Sequence, residues 1–470
     1  MTRFFVAFAL GFVATLPALA QDELRLMNEP TSYTNAIDAV DDGDPFDLDI
    51  TAGFRRTRVA GTIQREPGPT PDSGRGSANW TNIGDWEHVR NELLLGLDIG
   101  IFRDVMLYAR MPLVLSDTRR ITYPGSPPAA EVDTNLVEPI AGGGAPQLFY
   151  MPFRSPTRSG IDTVTVGLGF DVLNQHRRPS FPTWMMLFEL RLGVGSLLRP
   201  CEKSGVERDP NTGAPITGGD GNPIPRACSS GVSRGTHAFR FESRMSRRYR
   251  YAEVYSGLLF HFEWAGRAKS QFEPGGDLAG YQNTRPPVRG TFTAGVALIP
   301  WENRESWQRF TIDLRVRGTY VSEGRDYSPL YDALGSSQHP ALTIDNLEGD
   351  PMGPNPGALR RVPFTGLTDV QAHGRLGGQI AIEMQAARYV RFRFGLDLDY
   401  ITPHALTFSD GCDPNASADG PGDPRACNPR SPDDGLINPH HRPAIDRPGN
   451  RFRLDGALDL GLFFGATAQF

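Results

Sequence analysis

The sequence predicts an all-β chain, a transmembrane antiparallel up-and-down β-barrel of about twelve strands with long extracellular loops and short periplasmic turns. Three observations predict it. Apolar residues recur at every second position in segment after segment, which is the period of a strand. The connections between these segments alternate strictly between long and short. After the first twenty residues no run reaches the ~18 consecutive apolar positions of a membrane-spanning helix. Mean hydropathy is -0.35 and 39% of the 470 residues are hydrophobic. Those averages describe a soluble protein; the order of the residues does not.

Residues 1–20 read as a cleaved secretory signal, with Arg3, an apolar run from Phe4 to Leu16, and the small-residue end Ala18-Leu19-Ala20. Removing Arg3 from 48 basic residues leaves 47 against 54 acidic ones, a net charge of -7. This mild acidity excludes a nucleic-acid partner. Lys203 and Lys269 are the only lysines, so almost every cation is a guanidinium, which pairs carboxylates bidentately. Residues 21–45 form a short acidic lead-in on the periplasmic side, and 46–470 form the barrel.

The twelve strand segments are 46–65, 86–101, 104–117, 161–174, 183–197, 235–246, 250–265, 288–300, 307–322, 369–385, 389–402 and 451–470. The second segment places Val89, Leu93, Leu95, Leu97, Ile99 and Ile101 on one face, and His88, Arg90, Glu92 and Asp98 on the other. The third sets Leu107, Ala109, Met111 and Leu113 against Tyr108 and Arg110. The first segment is expected to change register between Phe54 and Val59, by a bulge or by extending beyond the bilayer. Long connections (66–85, 118–160, 198–234, 266–287, 323–368, 403–450) alternate with short ones (102–103, 175–182, 247–249, 301–306, 386–388). A soluble β-sandwich also alternates apolar and polar residues, but it does not require long and short connections at opposite ends. Across strands two to twelve the apolar face carries charge only at strand ends: Glu87, Asp117, Asp162 and Arg250. Lipid outside and a polar lumen inside account for both patterns, since closure leaves no unpaired edge in hydrocarbon.

Trp184, Tyr249, Trp301, Trp307 and Tyr389 lie at short turns and Trp264 at the opposite strand end, as two interfacial girdles require. The chain ends with Leu458, Leu460, Leu462, Phe464, Ala466, Ala468 and Phe470 in strict alternation. This ending resembles the C-terminal strand signal of Gram-negative outer-membrane β-barrel proteins. The resemblance implies an outer-membrane location, recognition of Phe470 by the barrel assembly machinery, and outer-membrane lipid around the wall.

The inward register of strands two to twelve holds fourteen arginines: Arg90, Arg110, Arg191, Arg240, Arg244, Arg289, Arg309, Arg315, Arg317, Arg375, Arg391, Arg393, Arg451 and Arg453. It also holds fourteen carboxylates: Glu92, Asp98, Asp171, Glu189, Glu242, Glu253, Glu263, Asp313, Asp369, Glu383, Asp397, Asp399, Asp455 and Asp459. Such balance predicts a cross-linked interior without strong ion selectivity. A charged path is the other reading, with Arg315 and Arg317 opposed to Asp397 and Asp399. Small inward residues such as Gly167, Gly169, Gly193, Gly195 and Gly295 leave space, or ease strand curvature.

Four cysteines in an exported chain predict two loop-internal disulfides, Cys201 with Cys228 and Cys412 with Cys427. Each closes a loop by about 3 kcal/mol in the chain-entropy account. No cofactor or metal is expected. The acidic run Asp38, Asp41, Asp42, Asp44, Asp47 and Asp49 departs from calcium-loop spacing and reads as solvated. A lipid-modifying enzyme needs Ser and His together on the lipid face. Outward His237 and Ser256 are expected about three residues out of register, roughly 10 Å apart. About 25 mature residues before the first strand are too few for a plug domain. The sequence therefore predicts a monomeric channel or transporter for passive passage of small hydrophilic or amphiphilic solutes. A surface-exposed binding or structural barrel with a lumen closed by salt bridges is the alternative.

Overall fold

The computed structural model describes residues 31–37, 47–66, 80–137, 146–201, 206–207, 214–219, 221–224, 228, 230–276, 283–303, 305–348, 360–411 and 438–470. Its barrel strands are β1 (Leu48–Arg65), β2 (Thr81–Phe102), β3 (Val105–Thr122), β4 (Thr163–Leu173), β5 (Thr183–Gly193) and β6 (Thr236–Tyr249). They continue as β7 (Ala252–Ala265), β8 (Arg289–Asn303), β9 (Gln308–Val321), β10 (His373–Ala387), β11 (Val390–Ile401) and β12 (Phe452–Gln469). Each pairs antiparallel with the next, and β12 pairs back on β1 from Gln469 opposite Asp49 to Phe452 opposite Arg65. The protein is thus a closed twelve-stranded antiparallel β-barrel, the architecture of outer-membrane barrels. The proposed signal at 1–20 lies outside the described residues.

One end carries the short turns: Arg103–Asp104, 174–182, Arg250–Tyr251, the link from Asn303 to Gln308, and Arg388–Tyr389. Asp104, Arg250 and Trp307 adopt left-handed φ of 58°, 40° and 53° there, the twist that tight hairpins demand. Tyr249, Trp301, Trp307 and Tyr389 stand exposed at this rim and Trp264 at the other.

The first, fourth and tenth segments depart from the sequence reading, beside the bulges that reverse parity at the upper ends of β3 and β12. In β1 the alternation is unbroken: Ile50 and Phe54 face outward, while Asp49, Thr51, Gly53 and Arg55 line the lumen. The apparent break comes from charge on the outer face, where Arg58 pairs with Glu87. The register shifts lie higher, at Gly61/Ile63 against β12 and Ile63/Gln64 against β2. The fourth segment is split: Arg158–Ile161 pairs with β3, and Asp162 interrupts the chain before β4. Asp162 turns to accept from Arg90 Nη2 at 2.9 Å, so a charge pair replaces strand continuity. The tenth begins at His373, because Thr368–Val370 pairs with Gly324–Asp326 in a separate small sheet. Asp369 therefore leaves the lumen register and meets Arg325.

The long connections pack into a cap with its own apolar core. Ile63, Ile83, Ile121 and Phe452, at the upper ends of barrel strands, bury against Val132, Leu136, Leu148, Phe149, Leu334, Leu406 and Ile445. Cys201 and Cys228 are disulfide-bonded within it; Cys412 and Cys427 lie outside the described residues. At its centre Asp332 accepts from Arg158 Nη1 at 3.1 Å and from Arg119 Nη1 at 3.2 Å, with Arg158 Nη2 on its other oxygen. All three side chains are at most 15% exposed.

Replacing Asp332 by Ala strands two buried guanidinium groups, and cap stability should fall by about 3–5 kcal/mol. Limited proteolysis measures this, while the heat-modifiable gel band of the barrel stays unchanged. A second expectation concerns pH. Asp446 is buried, accepts from the backbone N–H of Ser409 at 3.1 Å and Arg442 at 2.8 Å, and burial raises its carboxyl to about 7. The folded carboxyl holds its proton more tightly than the unfolded one. Its contribution is therefore complete below pH ~4 and is lost as pH rises through about 7. Cap stability of Asp446→Asn relative to the unsubstituted protein should rise between those pH values. His440 and His441, both lowered by burial, titrate in both proteins and cancel in the difference. A pH-independent difference would contradict the assignment.

Candidate functional site

Closing twelve strands leaves a lumen whose inward residues alternate with lipid-facing ones. Its short-turn half contains a segment that does not belong to the wall. Residues 31–37, expected to lie ahead of the barrel on the periplasmic side, cross the interior as a strap. The Thr31 N–H donates to Glu253 Oε2 at 2.7 Å, and Thr34 Oγ1 lies 2.6 Å from Ser246 Oγ. Tyr33 stacks on Tyr255 with centroids 4.2 Å apart. The guanidinium carbons of Arg244 and Arg315 lie 5.0 and 4.9 Å from the Tyr33 ring centroid. Arg244 also donates to the Tyr33 carbonyl at 3.0 Å. On the far side Ala36 and Ile37 pack against Met106, Tyr108, Met185 and Leu187. Sequence reasoning missed this because seven residues of mixed polarity carry no period; their partners lie more than 200 positions away for Thr31 and Thr34.

Beside the strap lies a cavity of about 510 Å³. Ser32, Asn35 and Ile37 of the strap border it together with Asp49, Arg55, Asp98, Arg110, Glu189, Arg317, Glu383 and Asp397 of the wall.

The lumen residues singled out in the sequence assemble mostly as ion pairs. Arg90 donates to Glu92 at 3.0 Å as well as to Asp162. Arg110 pairs with Asp98, and Arg240 with Glu189 at 2.6 Å. Arg244 holds Glu242 bidentately at 2.8 and 2.9 Å. Asp313 accepts from Arg315 at 2.8 Å and Arg393 at 3.2 Å. Arg391 reaches Asp49 at 3.3 Å. Arg453 and Asp455 pair at 3.3 Å, with Arg453 over the Trp80 ring, but they leave the lumen register: the bulge at Gly456, where the pairing with β1 shifts, turns Phe452 and Leu454 into the buried core and these two to the exposed side. The supposed ladders are joined: Arg317 Nε donates to Asp399 at 2.8 Å and its Nη1 to Asp397 at 3.2 Å. Glu253 does not line open space, since the strap covers it completely. Arg191 and Arg375 have no ion-pair partner among the described residues. Phe470 is exposed, its N–H on the Leu48 carbonyl at 2.9 Å.

The enzyme pair is further apart than expected. Ser256 stands opposite Met245, and His237 opposite Trp264. Eight positions of strand separate them, roughly 26 Å; the short β6–β7 turn fixes this register. His237 Nδ1 instead accepts from the Gly193 N–H at 3.2 Å. Among the described residues no group of three metal-ligating side chains occurs. Asp38, Asp41, Asp42 and Asp44 lie outside them.

No protein-family model matches the sequence, and no curated protein does. Among solved structures the chain is similar to an outer-membrane channel from Pseudomonas putida F1, at 8% identity and TM-score 0.36 over 94% of this chain and 99% of that one. It is similar to a Pseudomonas aeruginosa FadL homologue at 9% identity and TM-score 0.27, covering 90% of each. A third is the outer-membrane protease OmpT of Escherichia coli, at 7% identity and TM-score 0.24 over 90% and 96%.

The placement of the strap predicts a cross-link. With Thr34→Cys and Ser246→Cys together, mild oxidation should form a disulfide that protects both thiols from maleimide labelling. Full labelling of both cysteines after oxidation would place the strap elsewhere.

Proposed function

We propose that this barrel is an outer-membrane channel for passive passage of small hydrophilic or amphiphilic solutes. The observation that carries the reading is the unfilled volume of about 510 Å³ inside the wall, bordered by strap and barrel side chains alike. A barrel built only as a support can fill its interior with side chains. Here the polar wall stops short of filling it. The strap is held by a few hydrogen bonds, the stacked Tyr33–Tyr255 rings and the packing of Ala36 and Ile37, a smaller contact than the apolar core of the cap. The chain works as a monomer in outer-membrane lipid, inserted by the assembly machinery that reads Phe470, and no catalytic chemistry is assigned to it.

The cap favours the second reading, a surface-exposed binding or structural barrel. Its apolar core is buried like that of a folded domain, and such a core does not open by side-chain movement alone.

Planar-bilayer conductance separates the two. The intact chain should conduct weakly, and deletion of residues 31–37 or Tyr33→Ala should raise conductance several-fold. A folded barrel that conducts in neither form, and passes no solute into liposomes, is the structural one.

A further inference from the structure

The lumen charges are balanced in number and ordered in depth. In the ion pairs that border the cavity the guanidinium is the more exposed partner. Arg110 is 41% exposed against 12% for Asp98, and Arg55 36% against 5% for Asp397. Arg393 is 32% exposed against 9% for Asp313, and Arg317 24% against 13% for Asp399. The cause is reach. An aspartate carboxylate sits one carbon from the backbone and stays at the wall, whereas arginine carries its charge inward on a three-carbon stem. A solute in the cavity therefore meets guanidinium edges first.

At one place those edges flank an open floor. Gly465 on β12 lies opposite both Gly53 on β1 and Arg393 on β11, and Phe463 lies opposite Arg55 and Gly395. A Cβ placed on Gly465 would meet nothing nearer than 3.7 Å. Arg55 spends only Nη2, on Asp397, and Arg393 only Nη2, on Asp313 and Gln379. The Nε of each is buried without a hydrogen-bond partner, which leaves Nη1 as the donor each can turn to the cavity. Arg393 lies 5.7 Å from the Phe463 ring centroid. The nearby carboxylates Asp49, Glu383 and Asp397 are buried in the wall.

We propose that this recess binds an organic carboxylate with a flat apolar body, of about the size of benzoate. The carboxylate takes the Nη1 donors of Arg55 and Arg393, and the ring lies against Phe463 over Gly465. Charge-assisted donors supply the orientation, and the aromatic wall supplies the apolar contact. The proposal rests on the reading above that solutes enter the lumen, and it names their chemical class.

Calorimetric titration of the full chain in detergent tests it without requiring transport. Benzoate should bind, with benzamide and acetate each weaker by about tenfold or more. Arg55→Gln and Arg393→Gln should each weaken benzoate about tenfold. Gly465→Leu, which grows into open space, should abolish binding while the heat-modifiable gel band persists. Equal affinity for benzoate and benzamide, no benzoate binding, or undiminished binding by Gly465→Leu would each overturn the proposal. A barrel that binds benzoate but does not conduct loses the channel reading and keeps the recess. One that conducts but binds none of the three probes loses the recess alone.

Discussion

Every backbone N–H and C=O of a strand crossing hydrocarbon needs a partner, because lipid offers none. The pairing of β12 with β1, from Gln469 opposite Asp49 to Phe452 opposite Arg65, meets that requirement for the whole sheet. Without it both strands would present an open edge to the membrane. Closure also dictates the side-chain chemistry. Outward residues meet acyl chains, and inward residues face one another across a shared interior. The arginines and carboxylates of the lumen are consequently arranged against one another across neighbouring strands.

The two ends of the barrel carry different structures. The cap is a packed apolar core seated on the tops of β1, β2, β3 and β12, and it is crossed by buried ion pairs such as Arg158–Asp332. Its closure is cooperative in the way of a domain. The strap touches the wall through polar contacts at Thr31, Tyr33 and Thr34, the stacked Tyr33–Tyr255 pair and the packing of Ala36 and Ile37 on Met106, Tyr108, Met185 and Leu187. The apolar contact of the strap is the smaller of the two, so the proposed opening costs less at the short-turn end.

Strand number, alternation of connection lengths and the inward parity of most of β2 to β12 were legible because each is a property of local order; parity reverses past the bulges in β3 and β12, which turn Asp117 inward to His88 and Arg453 and Asp455 outward. The exceptions are positions where a distant partner outweighed parity. Asp162 leaves the ladder for Arg90. Asp369 joins Arg325 in the cap, and Arg56 and Arg58 obscured the regular alternation of β1, which hid Arg55 as a lumen residue. The spacing of His237 and Ser256 was misjudged because a hairpin register depends on the exact turn, here Arg250–Tyr251. The strap was illegible for another reason: a seven-residue segment has no period, and its acidic surroundings suggest solvent.

By itself the sequence determined that the chain would alternate, close and bury opposed charges inside, since a strand's two faces follow from residue parity alone. Only the tertiary structure decided how those charges stand in depth, what occupies the lumen and where space remains. Those properties depend on side-chain reach across a closed ring and on contacts between residues hundreds of positions apart. A list of fourteen cations and fourteen anions contains neither.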